Sequence, residues 1–469
     1  MTGTGLLQPA LRDCRTVADV LAVVAGAAGE PGARGDWIVT NPGWHESQLA
    51  EGRLPTRWEL DSASPERPVF LGRGGHNVVL NTAAMRRLGL ADDAVAPDGA
   101  TYVRDERGLT GQIIGVVHIG ALSSRLPDPR PGFDADAIRT AQRRYAEAGI
   151  VSVLDPGLTL PQIETYRELD RAGELRLRVG MLWRAPQAGS SVEDALELLG
   201  SGELKPEHRS DARLRFLGVK IGVDGGVETG FYREPYRRQD DPSHACGKAI
   251  HTAEEVVAIC RAANRAGLPV GAHAVGDAGI DLALRAFAAA DADSPIRDNR
   301  WTLIHMMYPR PDHWEIANRL GVGVTAQQPL LYALGGGFVD YIGERAQDIE
   351  PLAEYLRRSD LPVGGGSDSP VAPYAPLLGI ASSVTRSTRS AGVLGPQWAI
   401  SPEQALDMYT RGSAWSTFED HLAGTLTPGK LADLVVLDGD PAGVDPTEID
   451  SLGVRMTVAS GAVVHDSTP

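Results

Sequence analysis

The chain has 469 residues, 42% of them hydrophobic, and a formal net charge of −16 at pH 7. This length is too great for one small domain and predicts a large buried core. Acidic and basic residues alternate instead of forming Lys/Arg runs, which argues against binding to nucleic acid or anionic membranes and favours small-molecule partners.

The first residues, MTGTGLLQPALRDCRT, contain neither a basic segment nor a continuous apolar stretch. This composition predicts neither a signal peptide nor a membrane span. The cysteines, Cys14, Cys246 and Cys260, form no CxxC pair, which argues against a disulfide framework or a zinc ribbon. We therefore expect a cytoplasmic protein.

Residues 30–125 show no regular alternation of helices and strands. They hold Trp37, Trp44 and Trp58, several Gly/Pro turns and the run PVFLGRGGHNVVLN. We interpret this region as an insertion that caps the mouth of the domain that follows.

From about residue 135 the chain repeats a helical pattern, a Gly or Pro stop and a short apolar run. Residues 136–148 place apolar side chains at helical spacing, Gly149 interrupts them, and residues 150–154 form the first run. Further runs lie at residues 175–183, 214–223, 269–273, 301–305, 322–326 and 361–364. Such alternation indicates βαβ units and a parallel sheet. We predict an α/β fold, a (β/α)8 TIM-like barrel over residues 126–417, in which the first strand is missing from the pattern.

Beyond residue 418 the composition changes. Residues 432–437, 455–459 and 462–465 have the pattern of β strands separated by Gly and Asp turns. We therefore expect residues 418–469 to form a small β subdomain, an incomplete β-sandwich.

Four short segments carry one potential metal ligand each at the predicted ends of barrel strands. They are GVKIGVDGG around Lys220, VGAHAVGD around His273, LIHMMYP around His305 and GGGSDSPV around Asp368. Barrel enzymes build their active sites at the carboxyl ends of the strands. The four side chains are therefore expected at one mouth.

Each of these residues also has an ordinary structural explanation. A histidine at a strand end is often only a hydrogen-bonded structural residue, and Asp368 after a glycine run can be a turn former. Lys220, inside an apolar run, must either reach solvent or have its charge neutralised. The order Lys, His, His, Asp on successive or near-successive strands favours a shared site.

This order resembles that of the amidohydrolase superfamily. The surrounding sequence is similar to its amidohydrolase-3 branch, the YtcJ-like metal-dependent hydrolases that include N-substituted formamide deformylases. The similarity covers nearly the whole chain and includes GIVSVLDPG, GVKIGVDGGVETGFYREPY, GAHAVGDAGI, GGGSDSPVAPYAPLLGI and the ending AGTLTPGKLADLVVLDGDP.

The resemblance implies a role for each site residue. Lys220, as its carbamate, would bridge metals; His273 and His305 would bind one ion. Asp368 would bind the other ion and act as the catalytic proton shuttle. His76, in the inserted segment, matches a family position near the pocket and is a candidate for substrate contact. The implied cofactor is a divalent metal, with zinc expected: one ion, or two if further ligands are supplied.

Two further residues are candidates for substrate binding. Trp44 has the aromatic ring that an apolar pocket needs, although aromatic residues more often pack in a core. Arg184, at the end of its predicted strand, can meet a substrate carboxylate or pair with a surface acid. We carry both residues forward as substrate-binding candidates.

The residue types indicate hydrolysis by a metal-activated water. The resemblance implies that the bond cleaved is a carbon–nitrogen bond in a small non-peptide amide or formamide. A divalent metal lowers the pKa of its water from about 16 towards about 7. Asp368 would accept the proton of that water and pass it to the leaving nitrogen.

The sequence departs from the family pattern at its start. The family's first barrel strand ends in His-x-His, and none of the eleven histidines here has another two positions away. We expect either a chain that begins upstream, with residues 1–29 as the remnant after the absent strand, or a protein with one metal site. Unpaired sheet edges would favour a homodimer. The alternative function is a catalytically silent or truncated amidohydrolase-like protein that only binds a ligand or partner.

Overall fold

The computed structural model describes residues 2–467, except residues 30, 31, 33, 76, 188, 208–212 and 238–244 and the side chain of Val116. Within this part, the chain forms a five-stranded sheet, then a seven-stranded sheet, then a three-stranded sheet. The seven-stranded sheet is the scaffold of the candidate site.

The first sheet and its helices precede the main sheet in the chain. The strands are β1 (Ile38–Val39), β2 (Val69–Arg73), β3 (Asn77–Leu80), β4 (Thr101–Asp105) and β5 (Gly108–Ile114). The helices are α1 (Thr2–Leu6), α2 (Val17–Ala28), α3 (Arg57–Ala63), α4 (Thr82–Arg87) and α5 (Val116–Ser123). The strand order is β1-β2-β3-β5-β4, and only β1 and β2 run parallel. All residues of β2 and β3 are buried, which agrees with the apolar run seen in the sequence.

The main sheet consists of parallel strands that pair in sequential order. They are β6 (Ser152–Leu158), β7 (Arg178–Arg184), β8 (Leu214–Gly222), β9 (Val270–Ala274), β10 (Thr302–His305), β11 (Gly323–Ala326) and β12 (Val363–Gly365). This confirms the predicted α/β class with a parallel sheet. The seven strands form a curled half-barrel, consistent with a TIM-like fold.

Helices alternate with these strands as predicted. They are α6 (Phe133–Glu147), α7 (Leu160–Arg171), α8 (Val192–Ser201), α9 (Ala253–Arg265), α10 (Asp277–Asp293), α11 (Pro311–Leu320), α12 (Pro329–Ile342), α13 (Leu352–Arg358), α14 (Pro376–Thr385), α15 (Pro402–Asp407) and α16 (Ser413–Ser416). Several begin with a capping box, in which the N-cap side chain and the residue three positions later bind each other's backbone N–H groups. Thr252 and Glu255 do this at the start of α9.

The limits of two strands differ from the sequence-based prediction. β6 continues beyond Asp155 through Pro156 to Leu158, because an edge strand tolerates a proline that cannot donate a hydrogen bond. β7 begins at Arg178 instead of residue 175. Leu175 is apolar because it is buried in the core, 1% exposed, and not because it pairs with a neighbouring strand.

The hydrophobic core lies between the main sheet and its helices. α9 shows how the sequence produces it: Val256, Ile259 and Ala263 recur at helical spacing and are fully buried. Phe287 of α10 meets Trp301 edge to face, with ring centroids 4.9 Å apart. Burial of each such large side chain stabilises the fold by about 1.5–3 kcal/mol.

The last sheet packs against the amino-terminal end of the main sheet. It is antiparallel, with strands β13 (Leu434–Leu437), β14 (Val454–Ala459) and β15 (Ala462–Asp466). The hydroxyl of Thr457 donates to the carbonyl of Ala146 in α6 (2.7 Å), and Arg178 at the start of β7 pairs with Asp433 (2.6 Å). These contacts attach the carboxyl-terminal strands to the main sheet.

A buried ion cluster links the first sheet to the main sheet. Arg73 at the end of β2 contacts Glu46 (2.8 Å) and Glu228 (2.6 Å), and all three side chains are at most 7% exposed. Glu228 belongs to the loop that follows β8, the strand of Lys220. The first sheet is thereby fixed beside the carboxyl end of the main sheet. In the part of the chain described, no helix is long and apolar enough to cross a membrane.

Candidate metal centre

Lys220 lies near the carboxyl end of β8, opposite Arg184 of β7 in the strand register. Burial lowers the pKa of the Lys220 amine to about 8; Asp368 acts against this shift and Arg184 adds to it. The charged form of this lysine is therefore poorly solvated. An amine in this environment is more readily neutral than a surface lysine.

His273 and His305 end the neighbouring strands β9 and β10. Their ring centroids are 4.5 Å apart and their planes are nearly perpendicular, at 82°. Nε2 of His273 lies 3.1 Å from the carbonyl oxygen of Gly225. When Nε2 donates to this carbonyl, Nδ1 carries the lone pair that a metal ligand needs.

His305 is more deeply buried than His273. It is 2% exposed, and its Nδ1 atom has no hydrogen-bond partner among the described residues. Burial first, and then His273 and Lys220, holds the pKa of His305 well below its usual range. The imidazole is therefore neutral, which is the protonation state that binds a metal.

Asp368 follows the short strand β12 and lines the same mouth. It has a left-handed backbone conformation (φ 55°) and interacts electrostatically with Lys220. The structure thus brings the predicted ligands Lys220, His273, His305 and Asp368 to the carboxyl ends of β8, β9, β10 and β12.

The donor set suits a divalent metal, since imidazole nitrogens and carboxylate oxygens are its usual ligands. The buried Nδ1 of His305, which lacks a partner among the residues described, is a polar atom that a metal would satisfy. In the described chain, His273, His305 and Asp368 do not bring three ligand atoms within 4.8 Å of one another.

A second group of potential ligands lies outside this mouth and is already paired. Asp281, Asp312 and His313 have ligand atoms within 4.8 Å of one another. Their carboxylates bind arginines: Arg233 contacts Asp281, and Arg310 contacts both aspartates. We interpret this group as an ion-pair network.

The predicted substrate-binding residues occupy different places. Trp44 is 3% exposed and donates from Nε1 to the carbonyl of Gly72 (2.8 Å), within the core of the first sheet. Arg184 ends β7 beside Lys220 and retains solvent access. His76 lies outside the described residues.

Arg184 has no acidic partner among the residues described. Surrounding protein desolvates its guanidinium, and this burial alone lowers its pKa. The positive charge also lowers the pKa values of Lys220 and His251. An accessible guanidinium that is crowded by protein and lacks a counter-charge is suited to an anionic ligand.

Asp224 is a further residue of the site, and it belongs to the segment GVKIGVDGG around Lys220. Its carboxylate is fully buried and accepts the backbone N–H groups of Phe231, Val275 and Gly276, each at 2.9 Å. Burial raises its pKa to about 7 in spite of these hydrogen bonds. Asp224 thus ties the loop after β8 to the turn that follows His273.

Gln327 and Glu350 are two further residues that sequence patterns did not reveal. Gln327 follows β11, is 6% exposed, and lines a cavity together with Asp368. Its backbone N–H donates to the carboxylate of Glu350 (2.9 Å). Burial raises the pKa of Glu350 to about 7. Neither residue stands in a recognisable motif, so only the fold connects them to the site.

The cavity beside Asp368 has a volume of about 670 Å³. It extends between β6 and β12, which in the described chain pair with one neighbour each. Its walls are mainly apolar, with Asp155, Gln327 and Tyr409 among the polar groups. The mouth therefore continues into a partly open cavity large enough for a small molecule.

Similarities to known proteins indicate a hydrolase. A family model described as "Amidohydrolase family" matches residues 1–465. YtcJ of Bacillus subtilis (strain 168), named as an amidohydrolase, is 27% identical over 447 residues, which cover 93% of this chain and 81% of that protein. The N-substituted formamide deformylase of Arthrobacter pascens is 26% identical over 452 residues, with 92% and 80% covered. A crystal structure of an uncharacterized metal-dependent hydrolase from Pyrococcus horikoshii OT3 superposes with a TM-score of 0.71 and 25% identity, covering 95% of this chain and 84% of that one.

Proposed function

Because this chain belongs to the amidohydrolase family, we propose that it hydrolyses carbon–nitrogen bonds in small non-peptide amides or formamides with the help of a divalent metal. The family and the similarity to a metal-dependent hydrolase support a hydrolase that uses such a metal. The formamide deformylase of Arthrobacter pascens supports the amide-type substrate.

One observation carries the proposal: two imidazoles, a carboxylate and a desolvated lysine share one mouth. His273 and His305 are in ring contact, and Lys220 interacts electrostatically with Asp368. We assign these four residues as the metal ligands and zinc as the ion. When bound, the metal would polarise the substrate carbonyl and acidify water.

Asp368 is the proposed proton carrier. It would accept a proton from the attacking water and deliver it to the leaving nitrogen, a step that an amine leaving group requires. The polar mouth next to an apolar cavity would orient the substrate and exclude competing water. His76 and Trp44 remain predictions as substrate contacts.

Lys220 would act as its carbamate. A neutral lysine amine offers one nitrogen, whereas a carbamate offers two anionic oxygens. A pKa of about 8 leaves part of the amine unprotonated at neutral pH, and only the unprotonated amine reacts with carbon dioxide. We propose Arg184 as the group that binds an anionic part of the substrate.

The test is the metal content of the purified protein, measured by mass spectrometry after mild dialysis, together with a screen of amides and formamides. We expect near-stoichiometric zinc in the wild-type protein and loss of this zinc in His273→Ala. We also expect turnover that depends on bicarbonate. Tight ligand binding without turnover would favour the silent amidohydrolase-like protein, an alternative motivated by the absence of a His-x-His pair from the sequence.

A further inference from the structure

The turn after β10 stores backbone strain next to a proposed metal ligand. His305 (φ 78°) and Met306 (φ 47°) are consecutive non-glycine residues in the left-handed region. Such a conformation is unfavourable for a residue with a side chain and persists only when neighbouring groups hold it. We call residues 305–307 the β10 turn.

Tyr355 of α13 contacts both strained residues. Its hydroxyl donates to the carbonyl of Met306 (2.6 Å) and lies 3.3 Å from the carbonyl of His305. Tyr355 is fully buried, and its ring packs against Trp314, with centroids 5.4 Å apart. Its hydroxyl therefore has a fixed position, and the two carbonyls have no access to water that would replace it.

The segment before α13 holds the other end of the β10 turn. The backbone N–H of Glu350 donates to the carbonyl of Met307 (2.7 Å). Arg386, fully buried, fixes this segment by donating to the carbonyls of Ile349 and Glu350, each at 2.6 Å. Three consecutive carbonyls of the β10 turn are thus bound by residues 350–355.

Tyr236, a tyrosine of the hydrophobic core, makes a different kind of contact from Tyr355. Tyr236 is also buried, and its hydroxyl donates to the carbonyl of Gly230 (2.9 Å), a residue without backbone strain. The Tyr355 hydroxyl is instead shared by the two strained carbonyls, one of which belongs to the residue that carries the imidazole. Loss of this hydroxyl would let the β10 turn relax and move the His305 ring.

We propose that Tyr355 is a positioning residue that holds the imidazole of His305 in the orientation required for metal binding. The inference rests on the proposed function only in that His305 is a metal ligand. Mutation of a residue that orients a metal ligand without binding the metal itself commonly changes metal affinity by about 10- to 100-fold.

The experiment compares Tyr355→Phe with the matched control Tyr236→Phe. Affinity for Zn²⁺ is measured by competition with a chromophoric chelator, and ligand geometry by the absorption spectrum of the Co²⁺ form. We expect Tyr355→Phe to lose about 10- to 100-fold in affinity and to change the Co²⁺ spectrum, because the β10 turn relaxes. Tyr236→Phe should leave both readouts as in the wild type.

A second variant covers the case in which Tyr355→Phe folds poorly. Glycine adopts a positive φ without strain, so Met306→Gly should make the β10 turn less dependent on the hydroxyl. Added to Tyr355→Phe, it should recover part of the lost affinity. If Tyr355→Phe keeps the wild-type affinity and spectrum, or if Tyr236→Phe loses as much affinity, the inference is overturned. The proposed function is not affected by either result. A wild-type protein that binds no Zn²⁺ would overturn the proposed function as well.

Discussion

Buried charged side chains have different surroundings in two parts of the main sheet, the Glu419 cluster at its amino-terminal end and the candidate metal centre at its carboxyl end. At the amino-terminal end, Glu419 accepts from Arg178 (2.9 Å), Arg215 (2.5 Å) and Ser152 (2.7 Å). At the carboxyl end, Lys220 and His305 are desolvated and their pKa values fall. Paired charges hold the fold together, whereas groups whose charged form is destabilised are available for chemistry.

Backbone strain occurs at several residues of the candidate metal centre. At the carboxyl end, His305, Met306, Glu350 and Asp368 all have positive φ values. The residues of the Glu419 cluster do not appear among the non-glycine residues with positive φ. Phe418, next to Glu419, does have a positive φ (60°), so strained backbone occurs at both ends of the sheet. At the carboxyl end, three of the strained residues are proposed metal ligands or direct neighbours of one, and there the strain bears on ligand geometry.

The largest expected effect is on activity at the carboxyl end. Asp368→Asn should lower kcat by about 10²–10⁴-fold, because the proton carrier is lost while the fold remains. Steady-state kinetics on the best amide found in the screen would measure it. The control is Asp360→Asn, an exposed aspartate at the other end of β12. Equal kinetics for both variants would refute the assignment of Asp368.

At the amino-terminal end of the main sheet, a substitution in the Glu419 cluster should lower the stability of the fold. Glu419→Gln removes the charge that compensates Arg178 and Arg215, and the free energy of unfolding should fall by about 3–5 kcal/mol. Denaturant unfolding would measure this change. Asp407→Ala breaks an exposed pair with Arg411 and should cost less than about 1 kcal/mol. A Glu419→Gln variant as stable as the wild type would contradict the division of roles.

Glu350 supports the site and should make stability depend on pH. Burial raises its pKa from 4.5 to about 7, so the folded state keeps a proton that the unfolded chain releases between these values. Raising the pH across this window should therefore lower the free energy of unfolding, by up to about 3 kcal/mol. Denaturant unfolding at a series of pH values should show a smaller slope in Glu350→Gln. The exposed control Glu344→Gln should keep the wild-type slope, and an unchanged slope in Glu350→Gln would reject the prediction.

The smallest expected effect concerns substrate selection by Arg184. Arg184→Met should raise KM for a carboxylate-bearing amide by about tenfold, since a charge-assisted hydrogen bond contributes about 1.5–3 kcal/mol. KM for the neutral analogue of the same amide should not change. Arg176→Met, at the exposed approach to β7, is the control. Equal effects on both substrates would show that Arg184 does not bind the anionic group.

Much of the fold was predictable from local patterns. The run around Lys220 became β8, and the runs ending at His273 and His305 became β9 and β10, because short apolar segments between helical stretches form parallel strands. The prediction ended the first apolar run at residue 154, whereas β6 continues through Pro156 to Leu158. The position of β6 at the edge of the sheet, which permits the proline, depends on the whole topology.

The sequence by itself determined the family, the α/β class and the four candidate ligands, since these depend on residue types at strand ends that recur along the chain. Only the tertiary structure decided which groups support them. Tyr355 meets a carbonyl 49 residues away, and Glu419 meets Arg178 241 residues away. Such contacts bring together segments that are distant in sequence, and no local periodicity or turn signal specifies which distant backbone group a buried side chain will meet.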